Sequence, residues 1–482
     1  MLNKFLKSLS LLLLLNLLIK PFWVLYVDRW VQHEVGDEAF GLFQTLYNFT
    51  IIFSIILDPG LKNYFNTKLS QDHGLLKRDA GRFLVLKILF SLAFFMVIWI
   101  AAWISGDYAD HKVVLNLLAV NQILLSFLLF LRAILTGLGK YQHDSFMSVI
   151  DRVLMVIMAL PVFFSSYFSE WKNIEAFIAI HTVAYALSLL ICLLMIGKPV
   201  FDIKIKLSFK GFGTIMRQTF PFALFTGLML LYISADFIMI ERLLPDGFEQ
   251  AGLYRKGYRF LQAASMFALL FGNLLLPIFS TIVHDKNEMR KMLITVFKIF
   301  VIPSITVALI CYTFRMEIMG AAYPDNTAEV ADTFGLLMLD LVAISLFYLF
   351  GTALTAMHAL RWLNIFAGLG VIVNIGLNWG LIPLIGIKGA VVATLVTHGL
   401  VGILQMIITL KKYEIIPGVI VIFKVIGFVA LSLFMFLLSN QLDFNWLYEL
   451  VVLSALSFTF AHLFKVFSIK EVFVLLKSKV NE

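Results

Sequence analysis

Three cations stand within five positions in the stretch "GLYRKGYRFLQAASMFALLFGN", residues 252–273: Arg255, Lys256 and Arg259. The residues that follow are apolar for long enough to sit in lipid, where a charge costs about 2.5–3.5 kcal/mol on insertion scales. Such side chains do one kind of chemistry well. They hold an anion, arginine through parallel N–H donors and lysine as a compact point charge. At 100° per residue, Arg255, Arg259, Gln262, Met266 and Asn273 fall within about 60° of one another, so one helix face is polar from its outer end past its middle. Arg259 lies about 10 Å deeper than the preceding loop, from the 1.5 Å rise per residue. Asp236 on the preceding span is about as far before that loop, and Asp340 lies in the outer half of a later span. Either acid can pair with Arg259, and the cations still outnumber the acids. A wet cavity facing an anionic ligand removes that imbalance, whereas Arg255 and Lys256 alone could snorkel to the outer interface.

The elements that position these residues follow from composition. The chain has 482 residues, 61% hydrophobic and 14% charged, with a mean hydropathy of +0.93. A soluble globule must cover itself with charge, which excludes that class. Apolar runs fall at 8–27, 39–61, 82–104, 113–137, 147–167, 175–197, 217–243, 252–282, 292–313, 333–356, 363–383, 388–410, 419–440 and 446–467. Each is long enough to cross a hydrocarbon layer of about 30 Å. The sequence is therefore expected to be an all-α, polytopic integral membrane protein of about 14 transmembrane helices. Its start, "MLNKFLKSLSLLLLLNLLIKPFW", has no small-x-small cleavage site and reads as a retained first span. Cys192 and Cys311 stand alone in separate apolar runs, and the nine histidines show no ligand spacing, so neither a disulfide, a metal nor a cofactor is expected.

Orientation follows from the asymmetry of Lys and Arg in short loops. With the amino terminus inside, the inner segments hold 23 of the 38 Lys and Arg and the outer loops six. Both termini are then cytoplasmic. The net charge of +8 reflects this topology, and nucleic acid is not an expected partner.

Span two opens "GLFQTLYNF" (41–49) and span eight opens "GLYRKGYRF" (252–260), with Gly, Leu, Tyr and Phe identical at a constant offset of 211. Such self-similarity marks an internal repeat. Six spans separate the two, an even number, so the halves would be parallel, in pseudo-twofold relation. The expected organisation is an N-lobe at 1–197, a cytoplasmic linker at 198–217, a C-lobe at 218–412, then two further spans and a basic tail at 413–482. The repeat sets Gln44 and Asn48 opposite Arg255 and Arg259, as two polar walls of one cavity. Other polar residues inside the spans are Asn16 and Lys20, four apart before Pro21, and Arg132 with Asp151 and Arg152, which a short turn brings near one another. An Arg132–Asp151 pair is expected there. Lys87, Lys298 and Lys424 lie near inner span ends and are expected to snorkel.

The segment "NIGLNWGLIPLIGIKGAVVATLVTHGL" (374–400) resembles the N-x-x-L-N-x-x-L-I-P-x-x-G-x-x-G-A-x-x-A-T signature of polysaccharide-export flippases of the multidrug/oligosaccharidyl-lipid/polysaccharide transporter superfamily. The stretches at 131–155, 236–267, 274–280 and 350–364 resemble further segments of that family. The resemblance implies two six-helix lobes plus two C-terminal helices. It implies flipping of an undecaprenyl-diphosphate-linked oligosaccharide across a bacterial inner membrane, with a glycan polymerase or glycosyltransferases as further partners besides the lipid bilayer. Where the family has an arginine two positions before the span-seven acid and an acid at position 262, this chain has Ser234 and Gln262. The substrate-binding set expected on these grounds is Arg255, Lys256, Arg259, Gln262, Asn273, Gln44, Asn48, Lys20, Arg132 and Arg152. Asp236, Asp340, Asp151 and Asp58 are the candidate carboxylates for ion pairing or for proton or sodium coupling. A drug or cation antiporter would need a cavity rich in acids, and the surplus here is basic. A lipid II flippase is a variant of the same reading. A glycan polymerase or ligase, an enzyme, would need a larger outer loop than 314–332.

Overall fold

The computed structural model describes residues 14–72, 74–197, 212–415, 419–439, 445–464 and 466. The basic segment at 1–7, most of the 198–217 linker and the tail after 466 lie outside the described residues. The described chain is helical, without strands. In order the helices are α1 (14–35), α2 (Asp37–Phe53), α3 (Leu61–Gln71), α4 (Leu75–Ser105), α5 (Lys112–Gly137), α6 (Tyr141–Phe164), α7 (Ile174–Ile196) and α8 (Phe212–Leu243). They continue as α9 (Gly247–Ile282), α10 (Lys286–Thr313), α11 (Arg315–Ala322), α12 (Ala328–Ala356), α13 (Leu360–Ile385), α14 (Ile387–Lys412), α15 (Val419–Ser439) and α16 (Trp446–Leu463).

Among the described residues, each of the fourteen expected spans falls on a helix. Among the described residues twelve are long and apolar enough to cross a membrane, and α15 adds the shorter apolar stretch Phe423–Phe436. Large apolar side chains such as Trp103, Trp379 and Leu384 are exposed, which in water would mark a docking surface and in a bilayer faces acyl chains. This is a multi-pass membrane protein. Starts are set by local capping: Asn173, Asp285, Thr327 and Asn445 each accept a backbone N–H from the first turn of α7, α10, α12 and α16. Pro161, Pro277, Pro303 and Pro383 sit inside helices, tolerated because neighbours in a helical bundle re-satisfy the freed carbonyls.

Helix α1 changes register along its length. Pro21 has no N–H to give the preceding turn, and residues Trp23–Val27 wind as a π turn in which the Asp28 N–H reaches back to the Trp23 carbonyl. Such turns insert one residue into the helical phase.

Close packing groups the chain into two compact units, Met1–Leu253 and Tyr254–Glu482. This boundary falls within α9, away from the 198–217 linker, because α8 packs along α2 and the start of α9 crosses α2. Within the first unit α7 packs on α5 and α6; within the second, α14 packs on α12 and α13. The same neighbour order thus recurs in each, spans four to six being matched by spans ten to twelve. In the second unit Asp332 bridges Arg315 at 2.7 Å and Lys388 at 2.8 Å, tying α11, α12 and α14 together.

Candidate anion-binding residues on the helices

In the second unit the third and fourth turns of α9 present the three cations, and all are buried. Arg255 donates from Nη1 to Gln262 Oε1 at 2.9 Å, two turns along the same face, as the helical spacing predicts. Its guanidinium also lies 6.0 Å from the centre of the Tyr258 ring. Lys256 donates to Asp325 at 2.9 Å. Arg259, 0% exposed, donates to the Tyr323 hydroxyl. The Tyr323 ring also lies 5.3 Å from the Lys256 ammonium and 5.9 Å from the Arg259 guanidinium, within the range of cation–π attraction. The polar stripe is buried through Arg259 and half-buried at Gln262 and Met266, and Asn273 at its far end is exposed.

Tyr323 and Asp325 come from "AAYPDNT", between α11 and the Thr327 cap of α12. The loop falls within 314–332, and neither residue is among those expected from the sequence to bind substrate. The available signal was an aromatic, a proline and an acid directly after a short outer helix.

Asp340, expected as an alternative partner for Arg259, is instead paired elsewhere. Its Oδ2 lies 2.6 Å from His398 Nδ1, and the residue is fully buried. Asp340 on α12 and His398 on α14 face each other because these two helices pack along much of their length. The signature asparagines Asn374 and Asn378 are buried, with Asn378 donating to Asn374 Oδ1 at 3.2 Å.

In the first unit a second cationic group lies around the π turn of α1. Arg152 stands 5.9 Å from the Trp23 ring centre, with Nε 3.7 Å from Asp151. Tyr47, Tyr185 and Asp28 are within electrostatic range of its guanidinium. Lys20 is half-buried and within range of Arg152, Asp151 and Arg132. Asn16, one turn before Lys20, donates to Ser148 at 2.8 Å and fixes α1 against α6. The His181 ring meets Trp23 edge-on, with centroids 5.4 Å apart. Gln44 and Asn48 are both buried on α2, where Asn48 spends its amide on the Gln44 carbonyl one turn back, at 2.8 Å. Asp236 and Ser234 are buried on α8.

Two expectations are corrected. Arg132 pairs with Asp144 at 2.7 Å, while Asp151 pairs with Arg152. The turn joining α5 to α6 sets the last turn of α5 opposite the first turn of α6, and Asp151 lies seven residues, about 10 Å, further along. Lys87 does not snorkel. It is 0% exposed, donating to the Leu57 carbonyl at 3.2 Å and to Ser126 Oγ at 2.7 Å, with Asp58 Oδ2 at 3.7 Å. The end of α2 tightens into a 3₁₀ turn at Ser54–Ile56 and leaves the Leu57 carbonyl to be met from outside the helix. Asp58 in turn accepts the N–H groups of Gly60 and Lys62, both at 3.1 Å, and so caps α3. Lys298 and Lys424 are half-buried.

Comparisons with known proteins agree with this architecture. No curated protein matches the chain. Among solved structures, the lipid II flippase MurJ in an inward closed conformation aligns with a TM-score of 0.70 at 15% identity, over 96% of this chain and 98% of its own. An inward-facing multidrug resistance MATE family transporter of the MOP superfamily aligns at 0.63 and 12% identity, over 81% and 94%. A MOP superfamily transporter from Pyrococcus furiosus, described as having a binding pocket of reverse polarity, aligns at 0.59 and 13% identity, over 85% and 96%. At these identities the likeness is one of fold. The family described as polysaccharide biosynthesis protein matches residues 5–283, more than half of the sequence. With its polytopic helical fold and its buried cations on α9, the chain belongs to the polysaccharide biosynthesis protein family.

Proposed function

We propose that this protein is a flippase that carries a lipid-diphosphate-linked oligosaccharide, undecaprenyl being the lipid expected in a bacterium, from the cytoplasmic to the outer leaflet of the inner membrane. The observation that carries this reading is the burial of Arg255, Lys256 and Arg259 on one membrane helix, with Gln262 and Tyr323 as hydrogen-bond partners of the two arginines. Bonds from arginine to an amide oxygen or a phenol are neutral-acceptor bonds, and a diphosphate offers charged oxygens that bind roughly twice as strongly. A diphosphate can therefore compete with these two neutral acceptors. Lys256 is tied to Asp325, a carboxylate whose side chain is 61% exposed, so that pair is screened by solvent and open to competition. The tyrosines and buried amides suit sugar hydroxyls, while the lipid tail remains in the bilayer. Family membership supports a role in polysaccharide assembly, and the transporter fold supports translocation by alternating access.

Arg259→Ala is the direct test. In cells it is expected to abolish surface glycan while the protein remains inserted at normal abundance. In proteoliposomes it is expected to stop translocation of a fluorescent lipid-diphosphate saccharide. Normal export by this variant would remove Arg259 from the mechanism. Drug resistance conferred on a sensitised host, without an effect on glycan, would favour cation antiport instead.

A further inference from the structure

The first unit contains a cavity of about 240 Å³ that belongs to neither cationic group. It lies where α2 ends and α3 begins, beside the basic segment 62–82. Its polar lining is Ser54, Asp58, Lys62, Asn63, Gln122, Ser126 and Thr226, and Ile55, Leu125 and Leu230 are among its apolar walls.

Four groups, Asp58, Lys87, Ser126 and Gln122, set what the cavity offers between α2 and α5. Asp58 gives Oδ1 to the Gly60 and Lys62 amides and faces Lys87 with Oδ2, so its charge is already balanced. Lys87 is engaged by Leu57, Ser126 and Asp58. Ser126 Oγ accepts a hydrogen bond from the Lys87 ammonium, which leaves its own O–H to donate. Gln122, one turn before Ser126 on α5, is only 6% exposed and makes no hydrogen bond to the described residues, though it lines the cavity. A buried primary amide without a partner loses one acceptor and two donors to desolvation. The site is thus built around an amide and a hydroxyl at helical spacing, with apolar walls.

That chemistry selects the occupant. A metal cation is disfavoured because Lys87 already neutralises Asp58. A phosphate would meet one half-buried lysine, Lys62, against the Asp58 carboxylate. The volume lies below the ~300–1,000 Å³ of sites for drug-sized molecules, which fits one ring rather than a chain. Hydroxyls in pairs match the donor and acceptor of Gln122 and the Ser126 hydroxyl, and the C–H face of a sugar ring packs on Leu and Ile. We propose that this cavity binds a single neutral sugar ring, a subsite for one residue of the glycan before translocation. The inference rests on the glycan reading above.

The test is equilibrium binding of D-glucose, D-galactose, N-acetyl-D-glucosamine and inorganic phosphate to the full chain in lipid nanodiscs, followed by saturation-transfer NMR. At least one of the sugars is expected to bind saturably, and Gln122→Leu to weaken it about tenfold or more. The same substitution is expected to leave thermal stability unchanged or raised, since it removes a buried amide with no protein partner; a purely structural Gln122 would lower it. No saturable sugar binding, phosphate binding without sugar binding, or equal sugar binding by Gln122→Leu would each overturn the proposal. Transport in proteoliposomes separates the two readings. If the parent protein moves no lipid-diphosphate saccharide while sugar binding still depends on Gln122, the flippase reading fails and the sugar site stands. If the parent transports while Gln122→Leu changes nothing, the subsite alone fails.

Discussion

Gly41 and Gly252 occupy reciprocal positions in one helix crossing. A Cβ on Gly41 would stand 1.7 Å from the carbonyl oxygen of Phe248, and a Cβ on Gly252 would stand 2.1 Å from the carbonyl oxygen of Asp37. Both the two glycines and the two carbonyl residues are 211 apart in sequence, the offset at which "GLFQTLYNF" repeats as "GLYRKGYRF". Gln32 adds a bond to the Gly252 carbonyl at 2.8 Å. The repeat is therefore expressed as a symmetric backbone contact between α2 and the first turns of α9.

Gly41→Ala is expected to force this crossing apart, since the atoms it would meet belong to the backbone of Phe248 and Gly252. The destabilisation should reach about 3 kcal/mol, the upper end for overpacking. Gly252→Ala should cost a similar amount. Both widen the same gap, so the double variant should cost less than the sum. Thermal unfolding of the solubilised protein measures all three, and strict additivity would mean that the two contacts are independent.

Lys87→Met is expected to destabilise by about 3 kcal/mol, the low end for removing one partner of a buried ion pair, because Asp58 retains its backbone donors and some solvent. Pairing it with Asp58→Asn should recover part of the loss. Full stability of Lys87→Met would restore a snorkelling lysine.

Tyr108, in the loop between α4 and α5, donates to Glu241 Oε2 at 2.5 Å, beneath the Arg242 guanidinium 4.4 Å from its ring centre. Burial, and then the Glu241 carboxylate, push the phenol above its ordinary value of 10. A folded-state value raised in this way contributes stability that is complete below pH 10 and declines as pH rises through the raised value. Tyr108→Phe should therefore cost about 2 kcal/mol at neutral pH, as for a bond to a charged acceptor. The gap between variant and parent should narrow above pH 10. A gap that widens with alkalinity contradicts the assignment.

His398→Ala leaves the fully buried Asp340 carboxylate without the imidazole 2.6 Å away. A loss of about 2 kcal/mol or more is expected. Replacing both by apolar residues of similar size should be milder than the single change. Urea or thermal unfolding of the three variants reports the order, and an unaffected single variant refutes the pairing.

The spans were legible because lipid imposes a local rule, a run of apolar residues about 20 long, that each segment obeys by itself. Ends were less so: α9 begins at Gly247, five residues before the expected 252, since its first turn is polar and lies at the interface. Within α9 the bond from Arg255 to Gln262 was readable from periodicity alone. Partners on other elements were not. Tyr323 lies 64 residues from Arg259, and Leu57 and Ser126 lie 30 and 39 from Lys87, with nothing in the sequence to mark them as neighbours. The Arg132 error was of another kind, since the correct partner, Asp144, stood in the same short segment and only the facing of two helix ends decided against Asp151.

The π turn of α1 has a consequence for insertions and deletions. It works as a spacer of one residue: everything amino-terminal to it is rotated by about 100° relative to an unbroken helix. Deleting one residue from Trp23–Val27 would let the helix close in regular register while Asn16 and Lys20 keep their places beside α6. A deletion between Asn16 and Lys20 has no spare residue to absorb it and would rotate one against the other by about 100°, parting that wall although no contacting side chain is altered.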